Sequence, residues 1–297
     1  MAATPRRVGV VIRTLNESEL IATCLENLAR QQPGFDLDVL VVDSGSTDST
    51  VELARAGGAR IVEIAPADFD YSKALNVGLE QLDAELVVLL SAHAIPTDER
   101  WLERMTAPFS DPRVAGVSSR QIPWPGAPWW ETERLRRAFG DATRHYEAGA
   151  VDEIVFSNAA SCIRLSTWWA EPFTLPAAED LEWAERVVAA GWKVVYEAEA
   201  EVYHSHDEGP REQARRMIDI NRVHSGAIGR ARVIRQAAGL LVRNAVSIAK
   251  LNEPVRRKRS YLADLLRMVW FYVVDFDRSG TTAERRRADV PSPGRAS

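Results

Sequence analysis

The amino-acid sequence predicts an α/β fold: an open, mostly parallel sheet flanked by helices, followed by a basic helical extension. Three observations lead to this prediction. Runs rich in β-branched residues alternate with segments of helical period over the first hundred residues. The composition of the 297 residues, 46% hydrophobic and 27% charged, supplies a full core and excludes a disordered chain, a coiled coil and a disulfide-stapled miniprotein. After about residue 210 the pattern changes to arginine-rich helices.

The first hundred residues are predicted to contain four strands, over residues 8–14, 38–43, 60–64 and 86–91. Residues 18–31, between the first two strands, place their apolar side chains on one helical face, and residues 48–56 form a second helix. Strands that are apolar on both faces and are linked by helices indicate a parallel sheet covered on both sides. In such sheets ligands bind beyond the carboxyl ends of the strands, so function is expected there.

The middle of the chain is less regular and contains eight of the nine tryptophans. For a single tryptophan we favour the core, but prolines and a glycine between the rings of residues 123–130 indicate a rigid loop over the site. The tail is polar and expected to be disordered. We therefore divide the chain into two halves of one domain, a basic helical extension and a tail, at residues 1–96, 97–209, 210–278 and 279–297.

The net charge of −5 conceals two opposite parts. Residues 1–210 contain 18 Lys/Arg against 34 Asp/Glu, whereas residues 211–297 contain 19 against 8. The two cysteines, Cys24 and Cys162, lie far apart in a chain without a signal pattern, which predicts a reducing, cytoplasmic location and thiols in the core. Since no run of 18 apolar residues occurs, no membrane-spanning helix is predicted.

Polar residues follow three of the predicted strands, at positions 13–17, 43–48 and 91–96. Asp43 closes a buried strand, where its carboxylate can accept a hydrogen bond from a base imide N–H or a ribose hydroxyl. The small residues after it permit close approach of a ligand. Ser46 or Thr47 is expected to cap the helix that follows, whereas Asp43 ends the strand too early to cap anything.

Three motifs in order resemble those of glycosyltransferase family 2: residues 14–17 (TLNE), 41–48 (VVDSGSTD) and 179–183 (EDLEW). The resemblance covers roughly residues 6–206. It implies an inverting enzyme of GT-A fold that uses nucleotide-diphosphate sugars. Residues 156–164, with 195–198 and 203–206, are similar to the rhamnosyltransferase-like branch of that family.

The resemblance implies a nucleoside site formed by Thr14, by Asn16 or Glu17, and by Asp43, with Asp43 toward the base. Lys73 would lie near the nucleotide or the diphosphate, although a solvated cation at a helix start is equally compatible with its position. The complete expected donor side comprises Thr14, Asn16, Glu17, Asp43, Ser44, Lys73 and Ser91.

The chain departs from the family after the fourth strand, where Ser91-Ala92-His93 replaces the Asp-x-Asp motif that binds Mg²⁺ or Mn²⁺. His93 is expected either to remain a ligand or to replace the metal charge with a hydrogen-bond donor to phosphate. His204 and His206 share one face of an extended segment and are further candidate ligands. A divalent cation, Mn²⁺ or Mg²⁺, is the expected cofactor.

Asp180 is the candidate general base. Residues 178–186 begin a helix that continues to Ala190 and ends at Gly191, and acidic residues in a first helical turn are favoured by the helix dipole in any case. Inverting transfer needs one base to take the proton of the acceptor hydroxyl, and the resemblance assigns this role to the second acid of the Glu-Asp pair. On the acceptor side we expect Glu179, Trp183, Asn158 and Trp124.

The resemblance therefore implies transfer of a sugar to a hydroxyl of a glycan or lipid-linked acceptor in cell-surface polysaccharide synthesis. Two alternatives stay open. The missing Asp-x-Asp motif would suit a catalytically silent nucleotide-sugar-binding protein. A sugar-1-phosphate nucleotidyltransferase would need a glycine-rich phosphate loop after the first strand, and residues 13–18 contain no glycine.

The basic extension is expected to face a membrane rather than a nucleic acid. Its leucines and aromatic residues lie beside the basic run 256–259, and no nucleic-acid recognition motif accompanies them. Helices that merely pack on the catalytic domain with solvated charged faces are the alternative interpretation. The resulting prediction is a cytoplasmic protein, peripheral at the inner face of the cell membrane.

Overall fold

The computed structural model describes residues 7–31, 36–149, 154–206, 208–225 and 230–276. The chain divides into two compact units. Of the described residues, the first unit contains those up to Trp124 together with those of Leu135–Ser205, and the second contains Pro125–Arg134 and those from His206 on. The domain boundaries at residues 96, 209 and 278 stay a prediction, and the expected disorder of residues 279–297 lies outside the described residues.

The described residues of the first unit form a nine-stranded sheet. Its strands are β1 (Arg7–Thr14), β2 (Asp36–Asp43), β3 (Arg60–Glu63), β4 (Leu86–Ser91), β5 (Ile95–Pro96), β6 (Val114–Ile122), β7 (Arg144–Tyr146), β8 (Ala160–Arg164) and β9 (Lys193–Tyr203). The strand order is β3-β2-β1-β4-β8-β6-β9-β5, and β7 pairs with β9.

The four predicted strands form the parallel part of this sheet, with β1 between β2 and β4. The register pairs Thr14 with Asp43 and Arg13 with Ser91. The carboxyl ends of β2, β1 and β4 therefore lie side by side, as expected for ligand binding in an open α/β sheet. In the other part of the sheet, β8 runs antiparallel to β4 and β6, whereas β6 and β9 are parallel. The α/β class is confirmed, with a mixed sheet.

Helices connect these strands. They are α1 (Ile21–Ala29), α2 (Thr50–Ala56), α3 (Tyr71–Leu79), α4 (Trp101–Thr106), α5 (Trp129–Ala138), α6 (Leu165–Ala170) and α7 (Glu179–Ala189). Helix α7 ends as predicted, because Ala190 is its C-cap and Gly191 follows with φ +96°. Glycine is the residue that adopts this left-handed conformation at the lowest cost.

Both faces of the sheet are covered by apolar clusters. Val10 and Ile12 of β1 belong to one cluster, whereas Val11 belongs to the other. Because successive side chains of a strand point to opposite faces, this division confirms that the sheet is buried on both sides. Cys24 and Cys162 are buried free thiols, as predicted, and burial raises the pKa of both.

The predicted tryptophan loop over residues 123–130 is wrong in part. Trp129 begins α5 and packs in the core of the second unit, so its ring is not exposed in a loop. Trp124 does precede the helix, and its ring stacks on Tyr203 at 4.9 Å while packing against the core of the first unit. The sequence could not separate the two, because both follow proline and only the tertiary core distinguishes them.

The second unit is helical, with α8 (Pro210–Ser225), α9 (Arg230–Lys250) and α10 (Val255–Asp275). The helices predicted after about residue 210 are confirmed, and their apolar core contains Val233 and Ala237 of α9 and Leu265 and Met268 of α10. The described helices include none that is long and apolar enough to cross a membrane.

Candidate active site

The loop after β2 is organised by the Asp43 carboxylate, which is almost fully buried. One oxygen, Oδ2, accepts hydrogen bonds from the backbone N–H of Gly45 (2.9 Å) and of Ser46 (2.8 Å). The other oxygen, Oδ1, accepts from the Thr14 hydroxyl (3.0 Å) and from the Ser46 hydroxyl. A carboxylate offers about four acceptor positions, so protein donors occupy all of them. Asp43 therefore fixes the turn before α2 and does not cap that helix, as expected from its early position.

The loops after β1 and β2 are tied together by their polar side chains. Asn16 donates its backbone N–H to the Ser46 hydroxyl (2.8 Å) and accepts from the Thr47 N–H through Oδ1 (2.8 Å). The Ser44 hydroxyl donates to the Thr14 carbonyl (2.9 Å). Three of the predicted donor residues thus shape this edge of the sheet: Asn16 through Ser46 and Thr47, and Ser44 through Thr14.

The predicted helix cap is wrong. Neither Ser46 nor Thr47 caps α2; instead the Asp48 carboxylate accepts from the backbone N–H of Thr50 (3.0 Å). Hydrogen bonds, above all from the Thr50 hydroxyl, lower the pKa of Asp48 to about 2. The side chain of Ser46 is already used by Asn16 and Asp43, which is why it is not available to the helix.

Two histidines of the first unit face each other. The rings of His93 and His204 stack with centroids 4.9 Å apart and an interplanar angle of 9°. Each Nδ1 meets an oxygen acceptor, Glu17 Oε1 at 2.7 Å for His93 and Gln121 Oε1 at 2.8 Å for His204. An acceptor at Nδ1 assigns the proton to that nitrogen and the lone pair to Nε2. Each ring can therefore bind a cation through the lone pair of Nε2. Alternatively, each Nε2 can take up a proton and then donate a hydrogen bond to phosphate.

The neighbours of this histidine pair include one further predicted residue. The Ser91 hydroxyl lies 3.3 Å from the His93 ring nitrogens, so Ser91 belongs to the same cluster. His206 lies in the second unit, where its backbone N–H donates to Glu131 Oε1 (3.4 Å). Its role as a ligand stays a prediction.

The candidate base lies at the start of α7. The Asp180 carboxylate accepts from the backbone N–H of Asn158 through Oδ2 (3.2 Å) and from the N–H of Leu181 through Oδ1 (2.8 Å). The Asn158 side chain donates to Glu179 Oε1 (3.4 Å) and accepts from Ser161. Asn158 thereby contacts both acids of the pair, and it is fully buried, so it orients the acids rather than the acceptor.

Backbone strain is concentrated at this edge of the sheet. Among the described residues, Asn16 (φ +55°) and Ala178 (φ +56°) are the two non-glycine residues with positive φ. Asparagine tolerates this conformation, but for alanine it costs about 1–2 kcal/mol. Ala178 directly precedes Glu179 and Asp180, so the strained residue sets the direction in which the acids enter the helix.

Arg13 is a member of this site that the sequence reasoning did not select. Its guanidinium lies over the Tyr71 ring at 4.9 Å, and Nη1 is 3.6 Å from Glu179 Oε1. Nη1 is buried without a hydrogen-bond partner. The sequence signal was a charged residue directly after the apolar run 8–12, at the end of a central strand. In the structure Arg13 pairs with Ser91 and is only partly exposed.

Glu179 has an unusual protonation equilibrium. Burial, followed by the repulsion of Asp180, raises the pKa of Glu179 to about 7, although Arg13 opposes this shift. Between its ordinary value of 4.5 and about 7, the folded protein holds a proton that the unfolded chain releases. The contribution of Glu179 to stability is therefore full below about pH 4.5 and is lost as the pH rises through about 7.

We predict that Glu179→Gln removes this pH dependence. In the unchanged protein, raising the pH from about 4.5 to about 7 ionises Glu179. This lowers the free energy of unfolding by at most about 1.4 kcal/mol for each pH unit. Urea unfolding at several pH values between about 5 and 7 measures the slope. Glu185→Gln, an exposed acid on the same helix, is the matched control and should keep it. Equal slopes in both variants would contradict the assignment to Glu179.

For three of the predicted site residues, the side-chain contacts lie away from the histidine pair and the acidic pair. Trp183 is fully buried between Phe156 and Phe173, so it is a core residue, contrary to its expected place on the acceptor side. Lys73 Nζ is held by Asp68 at 3.0 Å in an exposed ion pair at the start of α3. Trp124 donates its backbone N–H to the Ser205 hydroxyl (3.1 Å), and its contact with an acceptor stays a prediction.

Curated relatives share part of this sequence. The chain is 29% identical over 229 residues to the O-antigen chain rhamnosyltransferase RfbN of Salmonella typhimurium, which covers 74% of this chain and 73% of that protein. It is also 29% identical over 205 residues to the O-antigen chain rhamnosyltransferase WbaN of Salmonella anatum, covering 66% and 65% of the two chains.

Solved structures share the fold. The mannosyltransferase PcManGT of Pyrobaculum calidifontis, in complex with GDP-Man and Mn²⁺, has a TM-score of 0.61 at 18% identity, covering 94% of this chain and 89% of its own. Glucosyl-3-phosphoglycerate synthase of Mycobacterium tuberculosis, with Mn²⁺, UDP and its product, has a TM-score of 0.53 at 20% identity, with 72% and 77% covered. The predicted GT-A fold is thereby confirmed.

The sequence profile described as "Glycosyl transferase family 2" matches residues 9–164. These residues include the loops after β1, β2 and β4 and the Asn158 that holds the acidic pair. The match covers more than half of the chain. This chain belongs to glycosyl transferase family 2.

Proposed function

We propose that this glycosyltransferase acts with inversion, moving a sugar from a nucleotide-diphosphate sugar to a hydroxyl of a glycan or lipid-linked acceptor. One observation carries the proposal: the acidic pair at the start of α7 is tied to the sheet edge where the donor loops end. Asn158 bonds to Asp180, Arg13 of β1 contacts Glu179, and the N–H of Ser91 at the end of β4 donates to the Ala159 carbonyl (2.9 Å).

In the proposed reaction Asp180 takes the proton of the acceptor hydroxyl. The acceptor oxygen attacks the anomeric carbon while the bond from that carbon to the diphosphate oxygen breaks on the opposite side, which inverts the configuration. The electron pair leaves with the nucleoside diphosphate, and no covalent bond to the enzyme forms. Asp180 suits this role because its carboxylate is held in place by two backbone N–H groups at the start of α7 while the side chain stays only half-buried.

The donor nucleoside is proposed to bind at the loops after β1 and β2. Asp43 is saturated by protein donors, so accepting a hydrogen bond from a base would require the Thr14 or the Ser46 hydroxyl to turn away. Such a turn would break one of these hydrogen bonds, and the bond from the base to Asp43 would replace it. Ser44, Asn16 and Glu17 complete the proposed pocket. Lys73 is proposed to approach the diphosphate by leaving its exposed ion pair with Asp68.

We further propose that the reaction serves polysaccharide synthesis. Both Salmonella relatives are O-antigen chain rhamnosyltransferases, and they align with 74% and 66% of this chain. A hexose or a deoxyhexose is accordingly the proposed sugar. The proposed acceptor is the growing glycan, free or attached to a lipid.

The departing diphosphate needs positive charge, and the histidine pair fits a divalent cation. A bound cation would neutralise charge that develops on the leaving group. Imidazole nitrogens suit Mn²⁺ better than Mg²⁺, which prefers oxygen ligands. The Glu17 and Gln121 oxygens at the two Nδ1 atoms are the outer contacts that orient histidine ligands in metal sites.

The prediction for the cation is that His93→Ala weakens Mn²⁺ binding. The loss should be at least the roughly 10-fold that removal of an outer-shell partner costs. Titration of the donor-free protein, followed by the electron paramagnetic resonance of unbound Mn²⁺, measures the affinity without any reaction. His145→Ala, which alters an exposed histidine of the same unit, is the control. Unchanged Mn²⁺ affinity in His93→Ala would assign the pair to direct contact with phosphate.

The proposed function is tested by a donor screen. Purified protein is incubated with a panel of nucleotide-diphosphate sugars and glycan acceptors, with Mn²⁺ or Mg²⁺, and nucleoside diphosphate release is measured. Transfer with inverted anomeric configuration, read by nuclear magnetic resonance of the product, is expected for one donor. Binding of a donor without turnover would support a nucleotide-sugar-binding protein instead, and a retained configuration would overturn the inverting mechanism.

A further inference from the structure

Helix α9 turns an apolar stripe to solvent. Ile234, Val242 and Val246 are 53%, 62% and 48% exposed, and their spacing of eight and four residues places them on one side of the helix. The opposite side, with Val233, Ala237 and Ile248, packs in the core of the second unit. The exposed stripe is therefore additional to the apolar surface that stabilises this unit.

Helix α10 has a second stripe of the same kind. Leu262, Leu266 and Trp270 recur every four residues and are 40%, 50% and 65% exposed. Leu265, Met268 and Tyr272 fill the core from the other side of the helix. Large exposed apolar side chains in a row usually mark an interaction site, because exposing them to water does not stabilise the protein.

Basic residues outnumber acidic ones beside these stripes. Helix α9 carries four arginines and one lysine and no acidic residue. On α10, Arg259 lies three residues before Leu262, and Arg256 lies one turn earlier, so both share the exposed face. Among the described residues neither forms an ion pair, whereas Arg257 pairs with Glu253 and Arg267 with Asp264.

We propose that these exposed faces of α9 and α10 are a docking surface for an anionic phospholipid bilayer. The apolar side chains would enter the boundary between headgroups and acyl chains, and Trp270 suits that boundary because its indole combines an apolar ring with one N–H donor. Arg256 and Arg259 would meet lipid phosphates. A protein partner would have to offer acidic groups at matching positions, whereas an anionic membrane presents negative charge everywhere along the surface.

Docking of this kind does not depend on the transfer reaction, and its test needs none. The full chain is sedimented with vesicles of phosphatidylcholine alone and with vesicles containing about a quarter phosphatidylglycerol. We expect binding to the anionic vesicles only, and release at high salt because the charges are screened. Arg256→Gln with Arg259→Gln should weaken binding at least 10-fold. The matched control, Arg257→Gln with Arg267→Gln, removes the same charge from ion-paired arginines and should weaken it less.

The apolar contribution is tested separately with Leu266→Ala and Trp270→Ala together. Both side chains are exposed, so the melting temperature should stay unchanged while binding to anionic vesicles falls at least 10-fold. Equal binding to neutral and anionic vesicles, or no binding to either, would overturn the proposal. So would a dimer in light scattering that this double variant dissociates without any vesicle binding, because the stripes would then join two copies of the chain.

Discussion

Asp180→Asn is expected to lower the rate of sugar transfer by about 10²- to 10⁴-fold, the usual contribution of a positioned general base. Asparagine has the same shape but cannot take the proton of the acceptor hydroxyl. Its amide oxygen can still accept from the N–H of Asn158 or of Leu181, so the start of α7 should keep its geometry. The loss should therefore appear in kcat, with the donor affinity almost unchanged.

Two measurements on the same preparation check this result: nucleoside diphosphate release, and donor binding by calorimetry. Glu185→Gln, an exposed residue on the same helix, should retain full activity. Glu179→Gln distinguishes the two members of the acidic pair. Glu179 is buried against Arg13, so we expect it to orient its neighbours in the site and not to accept the proton of the acceptor hydroxyl. If Asp180→Asn remains active while Glu179→Gln does not, Glu179 is the base.

Asp43→Ala is expected to have the largest effect on stability. Removing the carboxylate leaves the N–H groups of Gly45 and Ser46 and the Thr14 hydroxyl without their acceptor in a buried turn. One buried donor without an acceptor costs about 1–3 kcal/mol, so the free energy of unfolding should fall by about 3 kcal/mol or more. Donor binding should be lost as well, since the loops after β1 and β2 are held together by this group.

Urea unfolding and nucleotide binding measure the two effects of Asp43→Ala. The control is Asp36→Ala, which removes an exposed carboxylate from the start of the same strand and should change stability little. If Asp43→Ala unfolds like the unchanged protein but fails to bind nucleotide, Asp43 acts on the donor directly rather than through the turn.

Much of the first unit could be predicted because its signals are local. The alternation of apolar runs and helical segments identified β1 to β4 within two residues, and the acidic start and the glycine end identified α7. Each signal depends on neighbours in the chain: the strand on β-branched residues, the helix on its period and its terminal residues.

Side-chain direction could not be predicted in the same way. The sequence identified Asp43 as a site residue. It could not show that protein donors occupy all acceptor positions of the Asp43 carboxylate, because one of these donors, Thr14, lies on another strand. It selected Trp183 and Trp129 as residues near the site, whereas both rings are used in cores. A ring is apolar in either place, so residue type alone does not separate an acceptor surface from a buried contact.

Motif spacing and periodicity run along the chain, so they were enough to predict the α/β class, the order of the loops after β1, β2 and β4, and the acidic pair. The contact of Arg13 with Glu179, the bonds of Asn158 to both acids and the stacking of His93 on His204 became visible only in the folded protein. These partners come from segments that are distant in sequence. Their contact follows from strand register and packing, which no local pattern specifies.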